Sequence, residues 1–335
     1  VKTFELVREE SDRQKEKHPS FFEFLFLMGM CYFKEKEPDY IILETGLGGR
    51  LDATNCIAKP KLCVITEIGF DHMQYLGNTI EEIAGEKAGI IVPGVPVIYD
   101  GNDQKAAKVI RERAQELNSP CYEVTREDTE IIRNTCSGID FSFKNEYYGN
   151  TVFSIPFIAL YQVMNSSLAL KTMEVLKEEI PVSAEAVRKG LIETRWQGRM
   201  ETVLPGVIVD GAHNEDGVAR FVETAAHFQK DYPLTLLFSA VDDKDYTDMI
   251  RTILDKIQFR HVVVTQVGGY RKVPAEQLAE IFKENGCTSA EVCEDAEEAF
   301  RKALSEKGDD GLLFCVGSLY LVGEIKTAIL KGIGK

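Results

Sequence analysis

Residues 40–55 read YIILETGLGGRLDATN, and the expected fold is worked outward from them. The apolar run Tyr40, Ile41, Ile42, Leu43 ends in a carboxylate, Glu44. A turn with Gly46, Gly48 and Gly49 follows, then Arg50, Asp52, Thr54 and Asn55. A short unbroken apolar run bounded by turn residues is the pattern of a strand buried on both faces. Open α/β sheets gather ligands at the carboxyl ends of such strands, and glycines there let backbone approach a ligand closely. Glu44 has two readings at this point: a carboxylate facing a ligand, or the cap of a neighbouring helix.

Upstream, residues 3–18 are charged and weakly patterned and are expected to form loop with a solvated helical turn. Ser20 and Glu23 make a capping box for FFEFLFLMGMCYF, and hydrophobicity nearly all round that helix predicts burial against a sheet. Downstream, LCVIT (62–66), VPVIY (95–99) and 121–125 predict strands, with a polar-faced helix over 102–118. Thr79 and Glu82 form a second capping box, opening a helix through IEEIAGEKAGII. Lys87 falls on its apolar face with Ile80, Ile83, Ala84 and Ile91. Desolvation depresses the pKa of a lysine turned that way, which suits an amine that reacts or is carbamylated. The alternative is a lysine that snorkels outward along its stem.

Residues 129–156 alternate as antiparallel strands do. A long helix over 160–178 carries Gln162, Asn165, Ser166 and Ser167 in its first turns, a second spans 183–191, and 195–199 reads as a connector. From Met200 the pattern becomes regular β–α alternation, with strands near 206–210, 234–240, 261–267, 290–293 and 311–316. The expected class is α/β, with a parallel, doubly wound sheet in the second half. The first domain, 1–199, is mostly parallel with a small antiparallel part; the second, 200–335, is Rossmann-like. At 335 residues two domains are favoured over one, because single cores stop growing near ~250–300 residues.

The net charge of −15 argues against a nucleic-acid partner, while leaving room for a local positive site that binds a small anion. The eight cysteines include no CxxC pair, and reduced buried thiols explain them better than disulfides or zinc. No apolar run approaches the length of a membrane span and no signal peptide is visible, so the cytoplasm is expected.

Three side chains of the first half share a logic. Glu44 and His72 each follow an expected strand and so fall at one sheet edge, and Lys87 lies on the inner face of the next helix. Carboxylate and imidazole together suit Mg²⁺ or Mn²⁺ that keeps several waters. In the second half, IVDGAHNEDG puts Asp210 at a strand end and Asn214 at a helix N-cap. His213 and the backbone N–H groups beside it would face a phosphate. FCVGSLYLVGEI repeats this geometry with Gly317 and Ser318, a plain βα turn being the alternative. FSAVDDKDY carries Asp242, Asp243, Lys244 and Asp245 after another strand, where a solvated charge run is the alternative.

ETGLGGRLDATN, ITEIGFDHMQYLGNTIEEIAGEKAGII, QGRMETV and VDGAHNEDG together closely resemble the folylpolyglutamate synthase/dihydrofolate synthase family of the Mur ligase superfamily, in that family's order from about Phe21 onward. The resemblance implies an ATP-dependent ligase that adds L-glutamate to folates and joins dihydropteroate to glutamate, through an acyl phosphate. It implies Mg²⁺, with K⁺ as a further ion, and a cytoplasmic monomer. By similarity Glu44 and His72 hold magnesium, and Lys87 is the family's carbamylated lysine, holding a second metal. Asp52 contacts the pterin; Asn165, Arg199 and Asp210 contact base, phosphate and ribose; His213 sits near the transferred phosphoryl group. Ser318 and Tyr320 belong to a GSLY stretch at the substrate side. One departure stands out: no G-x-x-x-x-G-K-[ST] phosphate loop occurs in the 335 residues. With Val1 at the start, this leads to the expectation of an N-terminally truncated piece that is inactive alone. Two alternatives follow, a non-catalytic folate- or nucleotide-binding remnant and another Mur-type amino-acid ligase.

Overall fold

The computed structural model describes residues 1–14, 18–242, 244–269 and 271–334. Contacts divide the chain into two compact units, 1–124 and 125–335. Asp243, within the charge run noted above, lies outside the described residues.

The first unit begins with helices α1 (Lys2–Gln14) and α2 (Phe21–Lys36). Strand β1 (Cys63–Ile65), the short α3 (Met73–Leu76), α4 (Ile80–Ala88), β2 (Val97–Asp100), α5 (Gln104–Glu116) and β3 (Cys121–Val124) follow. The three strands form a parallel sheet in the order β1-β2-β3. Its core joins Ile65, Val97 and Tyr99 to Ile83, Ala84 and Ile110 of α4 and α5. Both expected capping boxes are present: Ser20 with Glu23 on α2, and Thr79 with Glu82 on α4. Each satisfies N–H groups that a helix start otherwise leaves orphaned.

Three expectations fail in this unit. Where residues 3–18 read as loop with one solvated helical turn, Lys2–Gln14 is helical throughout, with Val7 buried and the Phe4 ring 5.3 Å from that of Phe24. Helix α2 buries none of its residues, and Phe21 is 82% exposed. Residues 40–43 form no strand, and Ile42 is 97% exposed. A strand exists only through a paired ladder, and the backbone of 40–43 has no ladder partner among the described residues. Hydrophobicity says what a segment gains by burial, not whether a neighbour is there to supply it.

The second unit opens with an antiparallel sheet, β4 (Thr129–Thr135), β5 (Gly138–Phe143) and β6 (Val152–Ile155). Helices α6 (Tyr161–Val175) and α7 (Ala184–Glu193) follow. The rest is one six-stranded sheet and its helices, in chain order β7 (Glu201–Leu204), β8 (Val207–Val209), α8 (Glu215–Phe228), β9 (Leu234–Phe238), α9 (Tyr246–Lys256), β10 (His261–Val264), α10 (Ala275–Glu284), β11 (Ala290–Val292), α11 (Ala296–Lys307), β12 (Leu312–Val316) and α12 (Leu319–Leu330). The strand order is β11-β10-β9-β12-β8-β7; all neighbours are parallel except β7, which pairs antiparallel with β8. The expected parallel sheet is therefore present, with one edge strand more than the five expected.

Alternation along the strands explains their unbroken apolar reading. Ile208, Leu236, Phe238, Phe314 and Val316 join the core under α8, α9 and α10. Val207, Val209, Leu237, Leu313 and Cys315 join the core under α11 and α12. Successive side chains point to opposite faces, and both faces are covered, so the central strands are almost wholly apolar, Thr235 of β9 and His261 of β10 being exceptions. Because the adjacent strands β8 and β12 send their connections to opposite faces, a crevice opens at their carboxyl ends, where open α/β sheets bind ligands. No helix among the described residues is long and apolar enough to cross a membrane.

Phe314 is fully buried and packs edge-on to Phe221, ring centroids 5.6 Å apart. Phe314→Ala is expected to lower the unfolding free energy by about 3–5 kcal/mol, read from the shift of the urea midpoint.

Candidate functional site

In the first unit the loop after residue 44 is shaped by close backbone packing. A Cβ on Gly49 would lie 2.8 Å from the carbonyl oxygens of Glu86 and Lys87, so only glycine lets the loop rest on the end of α4. Arg50 N–H donates to the Glu86 carbonyl (3.0 Å), and its guanidinium meets the Glu86 carboxylate at 2.7 Å. Asp52 closes the loop from within. Its Oδ2 accepts from Gly46 N (3.0 Å) and Leu47 N (2.9 Å), and its Oδ1 from Thr54 N (3.0 Å) and Thr54 Oγ1 (2.7 Å). Partial burial raises the Asp52 pKa, but the hydrogen bonds from Thr54, Leu47 and Gly46 together outweigh it and hold the carboxyl below the usual aspartate range. Glu44 itself is exposed, at the rim of a groove of about 300 Å³ between α2 and residues 42–44.

Lys87 is half-buried on α4, as its spacing predicts. Burial pulls its ammonium below the usual lysine range, and the nearby Asp71 carboxylate works against that pull. His72 follows directly, in a left-handed conformation (φ 51°) at the start of α3. Its N–H donates to Asp71 Oδ1 (2.8 Å), and its ring Nε2 lies 3.8 Å from Asp71 Oδ2. Asp71 thus bonds to His72 and acts electrostatically on Lys87. Asp71 is the residue that sequence reasoning did not single out, although it adjoins His72. Among the described residues no group of three His, Cys, Asp or Glu side chains converges as a metal cage.

In the second unit the crevice between β8 and β12 collects most of the expected residues. Asp210 leaves β8 and is only 5% exposed. Oδ2 accepts from Met200 N and Oδ1 from Ala212 N, both at 2.7 Å. Burial pushes its carboxyl up to about 6, opposed by those two N–H groups and by the Arg199 charge. Tyr161, at the start of α6, faces the same group: burial raises its phenol pKa, the Asp210 charge adds to this, and Arg199 opposes it. Tyr161 is a second residue that sequence reasoning passed over; its neighbours Gln162 and Asn165 drew attention instead. Asn165 is exposed, its Nδ2 donating to Gln162 Oε1 at 3.0 Å.

His213 sits half-buried in the loop after β8, its Nδ1 2.7 Å from the Gly211 carbonyl. A carbonyl only accepts, so the proton is on Nδ1 and Nε2 keeps its lone pair in the neutral ring. Asn214 caps α8 through Gly217 N at 2.8 Å. Across the crevice, Gly317 (φ 109°) must be glycine, because a Cβ there would collide with the Ser239 carbonyl. Ser318 is buried and caps α12, its Oγ accepting from Tyr320 N at 3.1 Å. Tyr320 is exposed, and Arg271 donates to its hydroxyl at 2.6 Å with the guanidinium carbon 5.6 Å from the ring centre. In the charge run after β9, Asp245 caps α9 through Asp248 N (3.1 Å), and Asp242 N donates to the Arg271 carbonyl (3.0 Å).

The chain matches the Mur ligase middle domain over residues 13–173 and the Mur ligase glutamate ligase domain over 198–319. It is 36% identical to the dihydrofolate synthase/folylpolyglutamate synthase of Bacillus subtilis, covering 95% of this chain and 74% of that protein. It is 29% identical to the folylpolyglutamate synthase of Lacticaseibacillus casei, covering 99% of this chain and 77% of that one. Among solved structures it is similar to folylpolyglutamate synthase from Thermotoga maritima, with a TM-score of 0.82 and 31% identity over 99% of this chain and 76% of that chain. The Mycobacterium tuberculosis folylpolyglutamate synthase complexed with ADP and AMPPCP gives a TM-score of 0.80 and 28% identity, over 98% of this chain and 78% of that chain.

The bonds made by Asp52 set an expectation for acid. Its folded pKa is depressed, so the stability it adds is present above the unfolded aspartate value of about 3.9 and is lost as pH falls through the folded value. The urea midpoints of wild type and Asp52→Asn are expected to differ at neutral pH and to converge in acid. A gap that does not change with pH would mean that the charge plays no part in holding the loop.

Proposed function

This chain belongs to the folylpolyglutamate synthase/dihydrofolate synthase family of Mur ligases, and we propose that it joins L-glutamate to a folate-type carboxylate at the expense of ATP. It is an ATP-dependent acid–amino-acid ligase; the identity to a bifunctional synthase across 95% of the chain carries this reading. ATP phosphorylates the substrate carboxylate, the glutamate amine attacks the acyl phosphate, and the tetrahedral adduct collapses to amide and phosphate. Both folylpolyglutamate and dihydrofolate formation fit that chemistry, since they differ in the acceptor and not in the phosphoryl transfer.

The side chains take their parts from the geometry around them. Negative charge gathers on the phosphates as the acyl phosphate forms, so fixed cations aimed at them lower the barrier. The Arg199 guanidinium is exposed and makes no ion pair among the described residues, which supports its assignment to the phosphates. Asn165 is assigned to the base and Asp210 to the ribose, each Asp210 oxygen keeping a lone pair beyond its backbone bond. His213, held through Nδ1, offers Nε2 to the transferred phosphoryl group. Asp52 serves the folate side by fixing the 46–52 loop, and Ser318 serves the substrate side by fixing Tyr320.

Glu44, His72 and Lys87 are proposed to hold Mg²⁺, which when bound neutralises charge on the phosphates. The donor chemistry fits. A lowered lysine pKa favours the neutral amine that carbamylation requires, and a carbamate there would stand against the Asp71 carboxylate, a repulsion that a cation relieves. Magnesium commonly keeps several waters and takes one or two carboxylates, so such a site needs no cage of three side chains. K⁺, a monomeric state, a cytoplasmic location, the absence of a nucleic-acid partner and a domain division at 199–200 complete the proposal.

The test is phosphate release by the full-length protein with ATP and glutamate, given dihydropteroate in one series and tetrahydrofolate in another. Release that needs glutamate and at least one of these acceptors is expected; release with neither would overturn the reading. Lys87→Ala is expected to abolish ligation while leaving the far-ultraviolet circular dichroism unchanged. Turnover near that of the wild type in this variant would remove the carbamylated lysine from the site.

A further inference from the structure

Arg199 is mounted on a constrained turn. Gly198 has φ 67° and Met200 has φ 46°. A left-handed non-glycine residue costs conformational energy and persists only where its surroundings over-determine it. Four contacts do so here. Met200 N donates to the buried Asp210 carboxylate, and Gly211 N donates to the Gly198 carbonyl, each at 2.7 Å. Leu319 packs over the bare Cα atoms of Gly198 and Gly211. The fourth contact is made by Glu201 on β7, whose Oε2 accepts from Gly198 N at 2.7 Å. The same carboxylate is gripped by Lys326 of α12, with Nζ at 2.8 Å and 2.9 Å from its two oxygens. Both side chains are about three-quarters buried.

The outcome is asymmetric. Gly198 and Met200 are buried, Arg199 between them is exposed, and its guanidinium is left without an ion pair among the described residues. A cation whose backbone is fixed at several points and whose head group is held in no ion pair is pre-organised for an anionic ligand. Helix α12 adds a second consequence: its N-terminal turn carries Tyr320, and Lys326 lies further along the same helix. The Arg199 turn and Tyr320 thus share one rigid mount.

We propose that the Glu201–Lys326 pair is a positioning device that holds Arg199 toward the phosphates of ATP. This rests on the phosphate assignment of Arg199 made above. Lys326 keeps the Glu201 carboxylate aimed at Gly198 N, and that bond keeps the turn closed. Removing Lys326 leaves a partly buried carboxylate without its counter-charge, free to turn toward water and release Gly198.

The experiment uses the full-length protein and titrates a non-hydrolysable ATP analogue against Lys326→Met and Glu201→Ala, alongside Arg199→Ala. Each positioning variant is expected to weaken analogue binding about tenfold, the scale of one charge-assisted hydrogen bond. The KM for glutamate is expected to move less than about twofold, well inside the factor of ten that one such bond is worth. Lys326→Arg should restore binding, since it keeps the charge within reach of Glu201. In the Arg199→Ala background, Lys326→Met should cost nothing further, because the residue being positioned is gone. A loss that persists in that background, or wild-type affinity in both positioning variants, overturns the proposal. Unchanged affinity in Arg199→Ala itself would instead remove the phosphate assignment, so the two failures are distinguishable. If Glu201→Ala does not fold, Lys326→Met and its rescue by Lys326→Arg decide the proposal: wild-type affinity in Lys326→Met overturns it.

Discussion

A carboxylate taken out of water costs several kcal/mol unless hydrogen bonds replace its hydration, and the second unit is built around one that meets this condition. Asp210 is 5% exposed, and each of its oxygens accepts a backbone N–H, from Met200 on one side and Ala212 on the other. Those two bonds join the turn that carries Arg199 to the loop that carries His213. The carboxyl nevertheless titrates near 6 because burial outweighs the donors, so the joint is strongest when the group is ionised. Substituting Asp210 leaves two buried N–H groups unsatisfied. The backbone beside Arg199 and beside His213 is bonded to this one side chain, and Tyr161 faces it.

The first unit uses close backbone approach in place of a buried charge. Gly49 rests against the last carbonyls of α4, and the ion pair of Arg50 with Glu86 ties the loop to that helix from outside. Lys87 neighbours Glu86 in that last turn, so the contact that positions the loop also borders the amine whose pKa is lowered. Asp52 then closes the loop on itself with four hydrogen bonds. A loop held at so many points presents Glu44 and Leu51 outward instead of folding them in, and both are exposed.

Much of this was legible in the residues. Five strands of the six-stranded sheet, the capping boxes at Ser20 and Thr79, and the half-buried position of Lys87 follow from short-range pattern. Periodicity and cap chemistry act within a few residues of the position they describe. The misreadings share one cause. Residues 40–43 and α2 are apolar enough to be buried, yet what covers a segment is decided elsewhere in the chain. Strand β7 (Glu201–Leu204) falls between the expected connector, 195–199, and the first expected strand, 206–210; it pairs with β8 alone at the sheet's edge, and an edge strand of four residues has little pattern to show.

The sequence by itself determined the α/β class, the order of the elements and the family motifs, because each depends on which residues are neighbours along the chain. Only the tertiary structure decided that the Asp71 carboxylate acts on Lys87, that Tyr161 faces Asp210, and that Lys326 holds Glu201 across 125 positions. Those juxtapositions depend on strand order and helix packing, which place distant residues side by side, and no local pattern encodes them. The stretch that seemed to announce a buried strand proved to be an exposed segment leading into a tightly held loop. Local pattern located Glu44 beside that loop; the packing of Gly49 on α4 set how the loop is held.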